Sequence, residues 1–450
     1  MIDFKPLAQG FTGRIVTPAD SDFDALRAIT YGGIDRRPAA LARPRSAAEV
    51  AQVVGFARDT GVPLAVRSGG HSALGFSTVA DGLVLDLRDM KAIALDEAAR
   101  TVWADAGLTA GELSAAVTAK GLVVGFGDTG SVGLGGITTG GGVGYLVRKW
   151  GLSIDSLLAA EVVTADGRMV ETDATTEPDL FWAIRGGGGN FGVVTRFKFA
   201  LHPLPEFTGG MMALPATAGT IAAFMEAMLA APEELSGIGN VMPAPPMPFL
   251  PADVHGKPII FAMLAFAGPA AEAEKALAPI RALKPLADMV KPGSYMSMYP
   301  PQDPNYRPKA VARNMFMDRV GTDDAETMLG FLMESDAPMR VVQLRPLGGA
   351  SARVPSDATA YAHRDAPIMA NVASFYVGDD DKPQRERWVA DLSAALDQGR
   401  DGGYVNFVGE EGPAAIRAAY PNPTYKRLQA IKKRYDPQNL FRLNQNILPA

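Results

Sequence analysis

Arg67-Ser68-Gly69-Gly70-His71-Ser72 follows the apolar run Val62–Val66. The two glycines permit positive φ and let backbone N–H groups approach a bound anion. The imidazole beside them is a nucleophile near neutral pH, where much of it is unprotonated. A strand ending in such a loop suits a cofactor that is cradled and covalently captured. Further along, Gly133, Gly135, Gly136, Gly140, Gly141, Gly142 and Gly144 crowd one short stretch that also carries Ile137, Val143 and Tyr145. A flexible linker has no use for those apolar residues. A backbone wrapped closely around a large flat ligand does.

Punctuation on either side places these loops in a folded frame. Ser46-Ala-Ala-Glu49 and Thr109-Ala-Gly-Glu112 read as capping boxes, each opening a helix that stops at Gly61 or Gly121. Strands are expected at 62–66, 82–87, 101–105, 157–164, to about 171, and 193–200, with a short helix near 179–184. Gly187, Gly189 and Gly192 match GxGxxG, but they follow a helix and precede a strand. A dinucleotide fingerprint needs the reverse order, so a nicotinamide enzyme is disfavoured.

Beyond Pro203-Leu-Pro205 the chain becomes rich in proline and methionine. Helices are expected near 217–230, 269–283, 323–334 and 383–397, and strands near 257–267, 340–346 and 370–377. That mixture fits an α+β unit. The methionines read as core filling rather than as pocket lining. Tyr404-Val-Asn-Phe407 reads as a strand with Tyr404 and Asn406 on one face. Polar Asn444-Gln-Asn-Ile447 near the end implies a docked tail.

Composition removes several classes of function. The 450 residues hold no cysteine, which excludes disulfides, thiolate nucleophiles and iron–sulfur clusters. The four histidines, His71, His202, His255 and His363, form no metal-binding pair, so no metal is expected. Lys and Arg total 43 against 49 for Asp and Glu, a net charge of −6, which disfavours nucleic acid as a partner. No apolar run reaches about 18 residues and no signal-like segment opens the chain, so neither a membrane span nor export is expected, and the cytoplasm is the expected location.

Four ordered motifs, Arg67–Ser72, Gly133–Leu152, Phe181–Thr195 and Tyr435–Pro449, resemble the berberine-bridge-enzyme-like flavoproteins of the vanillyl-alcohol-oxidase superfamily. The resemblance implies an α+β fold: a two-part PCMH-type FAD-binding domain with an antiparallel-sheet-plus-helices substrate domain. Residues 1–206 (core about 36–206) would bind FAD, 207–400 would cover the substrate, and 401–450 would return to the first part. Matching the motifs residue by residue places Arg67, Ser68, Gly69, Gly70, His71, Ser72, Asp128, Thr129, Val132, Gly133, Gly135, Gly136, Gly140, Gly142, Val143, Gly144, Val194, Asn444 and Gln445 at the cofactor. The histidine matching His71 is bonded in the family to the flavin 8α-methyl carbon. Many relatives add a cysteine link where Thr129 stands, so a single linkage through His71 is implied here.

Val132 matches a position that controls oxygen access, and valine there resembles the oxidases. Its plain alternative is packing by a β-branched residue. The proton acceptor is open: tyrosines used as bases by relatives are replaced by Val143 and Phe407, leaving Tyr404, Tyr361 and His363 as candidates, with Asn406 as a hydrogen-bonding partner. The implied activity is an FAD-dependent oxidase that moves hydride from a small alcohol, amine or sugar-like substrate to flavin and reduces O2 to H2O2. An FAD dehydrogenase with another acceptor and a non-catalytic flavin-binding protein remain alternatives. Oligomeric state is not legible.

Overall fold

The computed structural model describes residues 2–301, 303, 305–409 and 412–450. Residues 14–203 build three sheets. In the four-stranded one, Leu83–Asp86 lies parallel to both Ala40–Arg43 and Leu64–Arg67. The helix Ala47–Thr60 is the crossover that joins the two flanking strands in the same direction. Its N-cap Ser46 accepts from the Glu49 N–H, and it stops at Gly61 with φ +70°. The Glu49 carboxylate, however, does not complete a capping box. It accepts from the N–H groups of Thr12, Gly13 and Arg45 and so ties down the N-terminal strand. The box at Thr109–Glu112 is complete.

A five-stranded antiparallel sheet follows, in the order Ile93–Asp96, Thr101–Asp105, Val193–Ala200, Leu157–Val163, Met169–Asp173. Its apolar side shares one core with the tail: Phe197 and Phe199 pack in the same cluster as Tyr420, Leu428, Tyr435, Phe441 and Ile447. Lys432 fixes that tail. Its ammonium, fully buried, reaches Asp436 (2.6 Å), the Asn190 carbonyl (2.8 Å) and the Phe441 carbonyl (2.9 Å).

Residues 208–375 form one large antiparallel sheet. Four of its strands matter for the site: β1 (Leu235–Pro243), β2 (Ala310–Met317), β3 (Arg340–Pro346) and β4 (Ile368–Phe375), adjacent in the order β1-β3-β4-β2. One face carries Val241, Met315, Met317, Val342, Leu344, Ala370 and Val372, packed against helices through Phe224, Met228, Leu277, Leu332 and Leu392. Each fully buried Phe or Leu here contributes about 2 kcal/mol. Strand alternation sends the intervening residues to the other face. The methionines fill this core as the composition suggests.

Three features depart from the sequence reading. Strands Thr208–Pro215, β1 and β2 carry no clear strand signal, because glycine and asparagine interrupt them. The glycines are there for contact: a Cβ on Gly239 would lie 2.6 Å from the Phe224 ring. The glycine-rich stretch 125–144 is not all loop, since Leu134–Thr139 forms one helical segment. Tyr404–Phe407 is a turn, not a strand. Phe407 and Val408 both donate to the Tyr404 carbonyl, and the Tyr404 N–H is taken by the Asn314 side chain rather than by a neighbouring strand. Among the described residues no helix is long and apolar enough to cross a membrane.

Candidate active site

A cleft of about 490 Å³ opens between the glycine loops and the polar face of the large sheet. Its first wall is backbone. Residues 68–72 leave the strand Leu64–Arg67 and lie against Gly133. A Cβ on Gly69 would fall 2.2 Å from the Gly133 nitrogen, and one on Gly133 2.0 Å from the Gly69 nitrogen. Only glycine at both positions allows this approach. The Ser68 hydroxyl joins the loops, donating to the Ala106 carbonyl (2.5 Å) and accepting from the Gly135 N–H (3.1 Å). Gly136, by contrast, faces open space.

His71 lines this wall, with Nε2 3.0 Å from the Ser131 hydroxyl. Burial lowers its pKa below the usual histidine value; nearby Asp128 opposes the shift without cancelling it. The ring is therefore neutral at pH 7, as a nucleophile must be. Ser72, Asp128, Thr129, Val132, Gly133, Gly135, Gly136, Val143, Val194, Asn444 and Gln445 line the same cleft. The tail enters through Gln445, whose amide donates to the Val408 carbonyl (2.9 Å).

Other residues assigned to the cofactor stand behind the wall. Arg67 points away from the cleft. Its guanidinium is fully buried and donates to the carbonyls of Ser77 (3.0 Å), Leu26 (2.7 Å) and Arg27 (2.9 Å), and burial lowers its pKa to about 10. Gly140, Gly142 and Gly144 do not line the cleft either. They make room for neighbours: Asn406 against Gly140, Ser153 against Gly142, and the Phe126 carbonyl against Gly144.

The catalytic candidates divide in the same way. Tyr404 and Asn406 face the cleft. The Tyr404 hydroxyl oxygen accepts from the Gly142 N–H (2.9 Å) and the Asn406 amide (2.8 Å). Burial raises its pKa, and these two donors only partly offset that. Tyr361 lies behind Tyr404, ring centroids 6.2 Å apart, with its hydroxyl buried and unpartnered. His363 is structural. Its Nε2 donates to the Ala419 carbonyl (3.0 Å) and its ring packs on Phe316, outside the cleft. Both sit on a segment held by Arg364, which grips Asp155 with two bonds of 2.7 and 2.8 Å.

The second wall was not legible. The large sheet contributes Ala312, Gln343, Arg345 and Asn371, and the first half adds Tyr31. The Arg345 guanidinium pairs with Asp128 and donates twice to the Gln343 side-chain oxygen Oε1 (2.6 and 3.0 Å). Burial would raise the Asp128 pKa, but Arg345 and the Thr129 hydroxyl hold it below the usual carboxylate value. The available signal was Gln343-Leu-Arg345, two polar residues on one face of a strand otherwise buried.

Three buried polar atoms of cleft residues have no hydrogen-bond partner among the described residues: Ser77 Oγ, Asn371 Oδ1 and Asn444 Oδ1. A buried group left unpaired costs about 1–3 kcal/mol, so such a set marks a ligand site. Glycine backbone, a neutral histidine and the unpaired Asn444 oxygen of the tail fit a flavin dinucleotide. Among its described lining the cleft offers no cation beyond Arg345, which is paired, so a pyrophosphate would be held by backbone N–H groups.

Comparison with known proteins agrees. Residues 38–173 match the family described as FAD binding domain, and residues 403–448 the one described as Berberine and berberine like. An FAD-linked oxidoreductase of Bacillus subtilis is 31% identical over 97% of both chains. (R)-6-hydroxynicotine oxidase of Paenarthrobacter nicotinovorans is likewise 31% identical over 97% of both chains. The crystal structure of 6-hydroxy-D-nicotine oxidase from Arthrobacter nicotinovorans superposes with a TM-score of 0.87 at 28% identity, covering 100% of each chain. The chain belongs to the berberine-bridge-enzyme-like family and is an FAD-dependent oxidoreductase.

Proposed function

We propose that the protein is an oxidase of a small alcohol or amine, with FAD joined covalently and only through His71. The observation that carries this is one cleft lined on one side by the His71 and Gly133–Gly136 loops and on the other by Tyr404, Asn406 and the polar sheet face. Bound FAD supplies the hydride acceptor and the means of reducing O2 to H2O2. Residues 1–206 and 401–450 hold that group, and residues 207–400 cover the substrate. The enzyme works in the cytoplasm.

The chain's own contribution is positioning and proton handling. His71, neutral because it is buried, can form a bond to the cofactor. Thr129 stands where doubly linked relatives carry cysteine, and the sequence has no cysteine to replace it. Val132 leaves a small side chain on the cofactor side of the cleft, which favours oxygen access over exclusion. Tyr404 Oη is the proton acceptor for the substrate hydroxyl or amine. The Gly142 and Asn406 donors stabilise its ionised form, and burial resists it. Base catalysis by Tyr404 therefore strengthens as pH rises.

The test is a substrate screen scored by peroxide, followed by aerobic stopped-flow of the reduced enzyme. Rapid, complete return of oxidised flavin in air is expected. Slow return in air with fast turnover on an artificial acceptor would make the protein a dehydrogenase. Ligand-induced spectral change without bleaching by any substrate would make it a binding protein.

A further inference from the structure

The polar face of the large sheet is organised. Register places Asn240 of β1 opposite Gln343 of β3, Gln343 opposite Asn371 of β4, and Asn371 opposite Asn314 of β2. Four carboxamides thus form one row across four strands. Three of them are committed. Asn240 donates to the Phe261 carbonyl (3.0 Å), Gln343 donates to Asn240 (3.0 Å), and Asn314 donates to the Ala370 carbonyl (2.8 Å) and accepts from Tyr404. Among the described residues, Asn371 alone of the row keeps a buried oxygen with no partner, and Asn371 lines the cleft.

Charge in the same cleft is closed off. Apart from tyrosines, its described lining has three titratable side chains: Asp128, Arg345 and His71. Asp128 and Arg345 pair with each other, and Arg345 is further held by Gln343. A charged substrate entering here would lose water and find no free counter-ion, which is costly. A neutral molecule with a hydroxyl or N–H donor would satisfy the Asn371 oxygen. Tyr31, Tyr404 and Phe407 give the cleft aromatic walls.

We propose that this cleft selects uncharged substrates bearing a hydroxyl or neutral N–H donor, with Asn371 Oδ1 accepting that donor and the Asp128–Arg345 pair excluding carboxylates and ammonium ions. The inference rests on the oxidase reading only in locating the substrate here.

Three aromatic probes of similar size test it: benzyl alcohol, benzoate and benzylammonium, titrated calorimetrically at pH 7 into the protein as purified. In the wild type, benzyl alcohol is expected to bind about tenfold tighter than either ion. Asp128→Asn frees Arg345 and is expected to tighten benzoate about tenfold, whereas Arg345→Gln frees Asp128 and tightens benzylammonium about as much. Asn371→Ala is expected to weaken benzyl alcohol about fivefold while leaving toluene unchanged. A wild type that prefers either ion or binds none of the three overturns the proposal. So does a pair of folded charge variants in which neither ion tightens, or an Asn371→Ala protein that binds benzyl alcohol as the wild type does. Flavin absorbance of the same samples judges the oxidase reading separately: selectivity without flavin contradicts that reading alone.

Discussion

The two walls of the cleft are built on opposite principles. The wall we assign to the cofactor is backbone: Gly69 and Gly133 approach within a distance that no side chain permits, and Ser68 joins their loops. The wall we assign to the substrate is side chain: a carboxamide row and an ion pair set on sheet strands. A backbone wall built on such close approach tolerates little change. A side-chain wall can be rewritten one residue at a time without disturbing the fold.

That contrast can be broken from several directions. The largest effect is expected at Lys432, which anchors the tail under the cofactor wall. Lys432→Met leaves Asp436 buried without its cation and should cost about 3–5 kcal/mol, read as a lowered denaturation midpoint. An unchanged midpoint would mean the tail is held by apolar packing alone. Next comes glycine. Gly133→Ala drives a methyl into the Gly69 backbone and should cost about 3 kcal/mol, whereas Gly330→Ala, in the helix Thr322–Glu334 and away from the cleft, meets no neighbour and should cause no loss of thermal stability. Equal losses at both sites would show that close approach is not what the loop requires.

Tyr404→Phe should lower kcat about 100-fold and remove the alkaline rise in the pH profile, because burial places the Tyr404 pKa above its ordinary value. A variant that keeps both the rate and the rise would exclude Tyr404 as the proton acceptor. The smallest effect is at Asp128. Its folded pKa is depressed, so the stability from its pairing with Arg345 is full above the unfolded carboxylate pKa and is lost as pH falls below about 4. About 1 kcal/mol should disappear there in the wild type but not in Asp128→Asn, measured by denaturant titration at pH 7 and pH 3.

The cofactor wall was largely legible because its requirements are local. A strand, two glycines and a histidine are contiguous, and the strands 101–105 and 193–200 are short, largely apolar runs rich in β-branched and aromatic residues. Arg67, Gly140, Gly142 and Gly144 share the motifs but lie outside the cleft lining, because motif membership does not reveal which way a group faces. The substrate wall was nearly invisible. Asn240, Asn314, Gln343 and Asn371 come from strands up to 131 residues apart in the chain and meet only through register. Two of those strands, β1 and β2, were themselves unrecognised because glycine and asparagine mimic turn signals. Tyr404 and Asn406 do line the cleft, but a tight turn, not the expected strand, brings them together.

The central claim is a flavin bonded to the protein at His71. The intact mass of the denatured, desalted protein tests it directly. The wild type should exceed the mass of its chain by one FAD, and His71→Ala should equal the mass of its chain while remaining folded. A wild type at the bare chain mass, or a His71→Ala protein that still carries the added FAD, would contradict it.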